Sequence, residues 1–254
     1  MTLLDKFQES DFAMFKKGLI SGRLNPSRVG KFLLVVDLIS ALFIYCGQQA
    51  AIVAHGSFYK SWISLIYGQW YSLLALAIVS LPFLLKKVSV TFQKSGLVLL
   101  ILSFIELAID LSCATLFAWK YSYANLPFNL VILLYMIINL LIFVLSLIRS
   151  YFLLKKGEFR KEGRGFFHKQ YSEGMSRFSA ILPFSAAGVL LSIIASKYWG
   201  QDASTVLIVI VGFVVSLFLF GVGIIEYLYI IYCKFRFKSF NAVREEESFD
   251  LSDL

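Results

Sequence analysis

Six apolar runs, at about Phe32–Ala54, Trp62–Leu85, Gly96–Trp119, Phe128–Leu154, Phe178–Lys197 and Thr205–Cys233, take up most of this chain. Each is near or above the roughly 20 residues that carry a helix across the hydrocarbon core of a bilayer. An open sheet in lipid would leave backbone N–H and C=O groups unsatisfied, so the runs are expected as helices. Hydrophobic residues make up 59% of the 254, with a mean hydropathy of +0.77. A soluble domain is about 45–50% apolar, so the excess must be buried in something other than the chain's own core. The expected fold is therefore all-α: a polytopic membrane bundle over 32–233, a leader over 1–31 and a tail over 234–254. Little chain is left for a separate soluble domain.

Basic residues orient the bundle. Lys6, Lys16, Lys17, Arg23, Arg28 and Lys31 precede the first run, and Lys86, Lys87 and Lys94 follow the second. Lys155, Lys156, Arg160, Lys161, Arg164, Lys169 and Arg177 follow the fourth, and Lys234, Arg236, Lys238 and Arg244 follow the sixth. The intervening connections carry only Lys60, Lys120 and Lys197. Positive charge accumulates on the cytoplasmic side, which places both termini there. Tyr59, Trp62, Trp119, Tyr121, Tyr123, Tyr198 and Trp199 gather at the opposite interface, as an aromatic belt would. The net charge of +8 belongs to this asymmetry and does not imply nucleic-acid binding.

In the leader, Leu4, Phe7, Phe12, Phe15 and Leu19 recur near helical spacing, with lysines on other faces. That pattern predicts an amphipathic helix lying on the membrane surface with its aromatics in the headgroup region; a partly disordered polar segment is the plainer alternative. Gly22, Asn25 and Pro26 should break it before the first span.

Within the third run, Ser103, Glu106, Asp110 and Cys113 advance by three, four and three, and so share one helix face. Residues four apart rise about 6 Å and their side chains meet. Two ionised carboxylates so placed in a dry setting would repel strongly, so the pair is expected to carry a proton between them. Glu106 and Asp110 are thus candidates for binding a proton or cation. Equally, they could be a buried polar cluster fastening the third span to Gln48, Gln49, Gln69, Asn139 or a tyrosine hydroxyl, each such bond worth about 0.6 kcal/mol.

Asp37 lies towards the cytoplasmic end of the first span, where Lys31 or Arg28 is the expected neighbour. Arg149 and Glu226, at comparable depth in the fourth and sixth spans, could pair across helices as a structural or gating ion pair. Gly212 and Ser216 are spaced for close helix packing. The sequence Phe83-Leu84-Leu85-Lys86-Lys87 is echoed by Phe152-Leu153-Leu154-Lys155-Lys156, a match that repeated hairpins or chance could produce. The loop 155–177 interleaves its basic residues with Phe159, Phe166, Phe167 and Tyr171. Ordinary positive-inside charge explains most of it, and its Lys155, Lys156, Arg160, Lys161, Arg164 and Lys169 could also contact anionic lipids or a cytoplasmic protein. The tail ends acidic, from Glu245 to Asp253, and reads as a solvated end.

Cys46, Cys113 and Cys233 match neither a metal knuckle nor a redox pair. His55 and His168 fall on opposite sides of the expected topology, and no phosphate-binding glycine loop of Walker type is present, so neither an enzyme nor a cofactor or metal site is expected. No cleavable signal peptide is visible, which leaves the first span as an uncleaved anchor. Two function classes remain. One is a transport or permease-type protein using the Glu106–Asp110 pair. The other is a non-transporting accessory, regulatory or immunity-type protein that binds a partner, with a homo-oligomer or larger membrane complex open to either. An amphipathic leader before six spans is similar in layout, though in no particular residue, to permease subunits of ATP-driven exporters. Short outer loops without glycosylation acceptors make a bacterial cytoplasmic membrane the default location.

Overall fold

The computed structural model describes residues 4, 6–21, 25–54, 56–122, 128–160, 210–212, 214–215, 219 and 224–241. All regular structure among them is helical: α1 (Ala13–Ser21), α2 (Pro26–Ala54), α3 (Gly56–Ser80), α4 (Lys86–Thr91), α5 (Gln93–Ser122), α6 (Phe128–Lys155) and α7 (Ile224–Arg236). Short 3₁₀ turns at Glu9–Phe12, Leu81–Leu84 and Lys238–Phe240 join or end them. Four segments, Arg28–Ile52, Lys60–Leu84, Gln93–Lys120 and Ile132–Lys155, are long and apolar enough to cross a membrane. The fifth expected span and most of the first half of the sixth lie outside the described residues.

Local chemistry sets the helix ends. Pro26 opens α2, where its missing N–H removes nothing the first turn needs and its fixed φ suits a helix. The helix therefore starts several residues ahead of the apolar run at Phe32. At the far end of α3, Pro82 sits in the 3₁₀ turn and Leu85 is extended (φ −78°, ψ 117°), which turns the chain into α4.

The helices then stack by shape. Gly30 of α2 lies directly on the backbone carbonyl of Phe83, so closely that a Cβ could not fit. That contact sets the start of α2 beside the end of α3, making the two antiparallel. Gly96 packs beside Val29 and Phe83, and Gly47 packs against Ala114, so α2 and α5 run parallel along their length. Gly212 lies against Thr115 of α5, which is the close approach its small size invited. Among the described spans α5 is the most buried: 56% of its 18-residue apolar stretch is buried, against 11% of that of α6. Exposed leucines and isoleucines on α2, α3 and α6, among them Leu38, Leu74, Ile78, Leu140 and Leu145, form an outer apolar surface suited to lipid.

The leader departs from expectation. Phe12, Phe15 and Leu19 are buried against protein, not presented to headgroups. Phe12 meets Tyr229, Tyr232 and Phe237, and Phe15 packs on Phe159 and stacks on Tyr229. Polar links hold the same surface: Arg160 Nε donates to Asp11 Oδ1 (2.7 Å), Arg236 donates to the Leu4 carbonyl (2.7 Å), and the Met14 amide donates to the Phe159 carbonyl (3.1 Å). Phe12, Phe15 and Leu19 share an apolar side, but Leu4 and Phe7 lie ahead of the first helical turn, and the apolar side has a protein partner in α7 and in the residues after α6. The contacts gather the leader, the α3–α5 connection, the end of α6 and the end of α7 at one end of the bundle.

Candidate functional site

Three helices each carry a polar pair three residues apart: Asp37 and Ser40 on α2, Gln69 and Ser72 on α3, Ser103 and Glu106 on α5. Three residues apart on a helix is one face, and α2, α3 and α5 pack on one another, so the polar faces meet in a seam. Asp110 extends it along α5.

Asp110 is completely buried, and its Oδ1 accepts a 2.9 Å hydrogen bond from Gln69 Nε2. Ser40 stands beside it, while its Oδ2 has no hydrogen-bond partner. Glu106 is half-buried, and its Oε1 accepts from the Ser72 hydroxyl. Both members of the expected carboxylate pair are thus held by α3, and of the partners the sequence offered Gln69 is the one used here. Gln48 instead accepts from Trp70 Nε1 (3.3 Å), and the Tyr135 hydroxyl donates to Ser112 (2.8 Å), fastening α6 to α5.

Asp37 is placed differently from expectation. Lys31 is exposed, whereas Asp37 is only 8% exposed and faces the hydroxyls of Ser80 and Ser103. Position 37 falls on the inward face of α2, with Val36 and Ser40, so the side chain turns from the basic interface into the seam. Its Oδ1 has no hydrogen-bond partner, and neither do the hydroxyls of Ser40, Ser80 and Ser103. Asp37 also lines a groove of about 260 Å³ between α2 and α3. A second cavity of about 620 Å³ lies among α3, α5 and α6, lined by Cys113, Tyr135 and Asn139 among mostly apolar side chains. Glu106 and Asp110 line neither cavity.

No family model, curated protein or solved structure matches the chain.

The remaining candidates scatter. Arg149 is exposed on α6, and Glu226 is buried in α7. Lys155 and Lys156 are exposed at the end of α6, and Arg160 is committed to Asp11; Lys161, Arg164 and Lys169 lie outside the described residues. Among the described residues no group of three His, Cys, Asp or Glu side chains could hold a metal ion. Sequence reasoning missed Ser40, Ser72 and Ser80. The three-residue spacing repeated on successive spans was the available signal, but serine is common enough in membrane helices for single positions to pass unnoticed.

Chemically, the seam is a set of three carboxyl groups, of which Asp110 is held by the Gln69 amide and Glu106 by the Ser72 hydroxyl, while Asp37 Oδ1 and the hydroxyls of Ser40, Ser80 and Ser103 stay unsatisfied. A half-satisfied network inside a low-dielectric interior is costly for stability. An ionised carboxylate with an orphaned oxygen is costlier still, whereas a protonated or cation-bound one is not.

Proposed function

We propose that this chain is an integral membrane protein of transport type, crossing the bilayer six times with both termini cytoplasmic, and that Asp37, Glu106 and Asp110 exchange protons or cations. The observation that carries this reading is the pair of orphaned oxygens: Asp37 Oδ1 and Asp110 Oδ2, each buried and without a hydrogen-bond partner. A purely structural polar cluster would be expected to satisfy its members. A group that must alternately gain and lose a proton cannot satisfy every lone pair in both states. The bacterial cytoplasmic membrane is the proposed location. The basic residues gathered at one end of the bundle support the orientation.

The test is reconstitution of the full chain into liposomes holding a pH-sensitive dye. Proton movement should be lost in Glu106→Gln and Asp110→Asn while both variants still insert and fold. Movement at the native rate in both would refute the proposal.

A second reading is favoured by one specific observation: Gln69 and Ser72 engage both carboxylates, as fastening would require. In that reading the protein is a non-transporting accessory, regulatory or immunity-type factor that binds a partner through the basic loop 155–177. Neutral acid variants would then keep biological function, and reversing the loop charges would abolish it.

A further inference from the structure

The leader joins two helices that the sequence keeps far apart. Its Asp11 accepts from Arg160, in the stretch that leaves α6 (2.7 Å), and the Met14 amide donates to the Phe159 carbonyl (3.1 Å). On the same surface Phe7 meets Tyr151 of α6 edge-on, while Phe12 is enclosed by Tyr229, Tyr232 and Phe237 at the end of α7. Gly157 lets α6 reach the leader: its left-handed φ of 74° turns the chain back, and a Cβ there would crowd Arg160. α7 in turn is fixed to α5, by Tyr227 on Phe104 (ring centroids 4.9 Å apart) and by Lys234 on Gln93 (2.6 Å). The leader therefore ties α6 to the body of the bundle by way of α7.

α6 has few other ties. It is the least buried of the four long apolar helices. Among its described side chains the buried ones are Tyr135 and Asn139 in the first half and Leu154 at the far end, with Phe143 and Leu147 only partly buried between them. In the first half the Tyr135 hydroxyl donates to Ser112 of α5 (2.8 Å). Beside that link the cavity of about 620 Å³ separates α6 from α5 and α3. An element with few buried apolar contacts is the first to open. α6 is thus built as a lever, pinned at Tyr135, loosely packed along its middle and strapped at its far end.

We propose that the leader is a strap that sets the tilt of α6, and that undocking it frees the far end of α6 to swing away from α5 about the Tyr135–Ser112 link. The swing widens the cavity between the two helices. From Tyr135 to Lys155 the lever is about 30 Å long, so a tilt of about 10° carries its far end about 5 Å. The strap has an apolar half, Phe12 and Phe15 against Tyr229 and Phe159, and a polar half, Asp11 on Arg160 and the Leu4 carbonyl on Arg236. Each half can be cut separately.

The test is double electron–electron resonance on the full chain in nanodiscs, with Cys46, Cys113 and Cys233 replaced by alanine. One pair of spin labels, at Ile148→Cys on α6 and Lys87→Cys on α4, reads the strapped end. A second pair, at Leu133→Cys on α6 and Gln49→Cys on α2, reads the pinned end; all four positions are exposed. Phe12→Asp undocks the leader by placing a charge inside the aromatic enclosure, and faster trypsin cleavage at Lys16 reports the undocking. The expected result is a first-pair distance that shifts or broadens by about 5 Å while the second pair stays as it was. Asp11→Ala with Arg236→Ala removes the polar half, leaves the aromatic enclosure intact and should give part of the same change. Circular dichroism of each variant confirms that it is folded. An unchanged first pair with the leader released would overturn the proposal. Equal change in both pairs would overturn it too, because α6 would then move bodily without a pivot at Tyr135. A leader that stays docked in both variants would also overturn it, since the strap would not depend on the contacts that define it. Proton movement is not part of the readout, so the strap can stand while the transport reading fails, and the reverse.

Discussion

The Gln69–Asp110 link allows a double-mutant cycle with a worked magnitude. Gln69 is 6% exposed and Asp110 fully buried, with one 2.9 Å hydrogen bond between them and Asp110 Oδ2 already unpartnered. Gln69→Leu removes the donor and strands the second carboxyl oxygen. Leaving a buried polar group unsatisfied costs about 1–3 kcal/mol, whereas interhelical bonds in membranes average about 0.6 and reach about 1.7 kcal/mol. Full burial of Asp110 puts the expected loss at about 1–2 kcal/mol. Asp110→Leu strands the Gln69 amide and should cost a similar amount. The double variant strands neither group, so it should be more stable than the sum of the singles predicts by about 1–2 kcal/mol. Asp110→Asn keeps an acceptor for Gln69 and should stay within about 0.6 kcal/mol of the native chain. Unfolding in mixed micelles, followed by circular dichroism against added dodecyl sulfate, gives all four values. Additivity of the single losses within about 0.5 kcal/mol would refute the link.

Three further outcomes follow from particular contacts. Gly30→Ala should cost about 1–3 kcal/mol, because the new methyl group meets the Phe83 backbone, which cannot swing aside; Gly68→Ala, with open space around it, should cost nothing, and equal effects in the same unfolding assay would contradict the α2–Phe83 contact. Phe12→Ala should weaken leader docking by about 3–5 kcal/mol, since Phe12 is fully buried among Tyr229, Tyr232 and Phe237; trypsin should cut faster at Lys16, and an unchanged rate would refute the docking. Lys234, just past the last apolar run, is buried with its Nζ on Gln93 Oε1 (2.6 Å), and burial, aided by Lys94, lowers its pKa from 10.5 to about 8. Between those values the unfolded chain binds more protons, so stability should rise from about pH 8 to 10; Lys234→Met should raise stability at neutral pH and flatten that slope, and an unaltered slope would refute the assignment.

The four long apolar helices were legible because a run that could cross lipid obeys one dominant rule. Runs such as Phe128–Leu154 have no alternative to a helix when every backbone group must be satisfied internally, and α6 spans Phe128–Lys155. Helix starts were less legible: Asn25 and Pro26 read as a break, yet Pro26 is the first residue of α2. Periodicity showed the apolar face of the leader, but an apolar face in headgroups and one against Tyr229 and Phe159 have the same pattern. In the site, the i, i+4 rule placed Glu106 and Asp110 together. It could not show that Gln69 and Ser72 face them, because which helices are neighbours depends on packing contacts such as Gly30 on Phe83. Asp37 was misread for the same reason: its sequence neighbours Lys31 and Arg28 are basic, and its spatial neighbours Ser80 and Ser103 come from other helices.

Infrared difference spectroscopy tests the central claim, that the acidic seam changes protonation and is more than a fastening. The full chain in lipid films is compared between mildly acidic and alkaline buffer. The account predicts a carboxylic acid C=O band that appears and disappears with pH and is lost or shifted in Glu106→Gln and Asp110→Asn. A spectrum with no such band, or one untouched by either substitution, would contradict it.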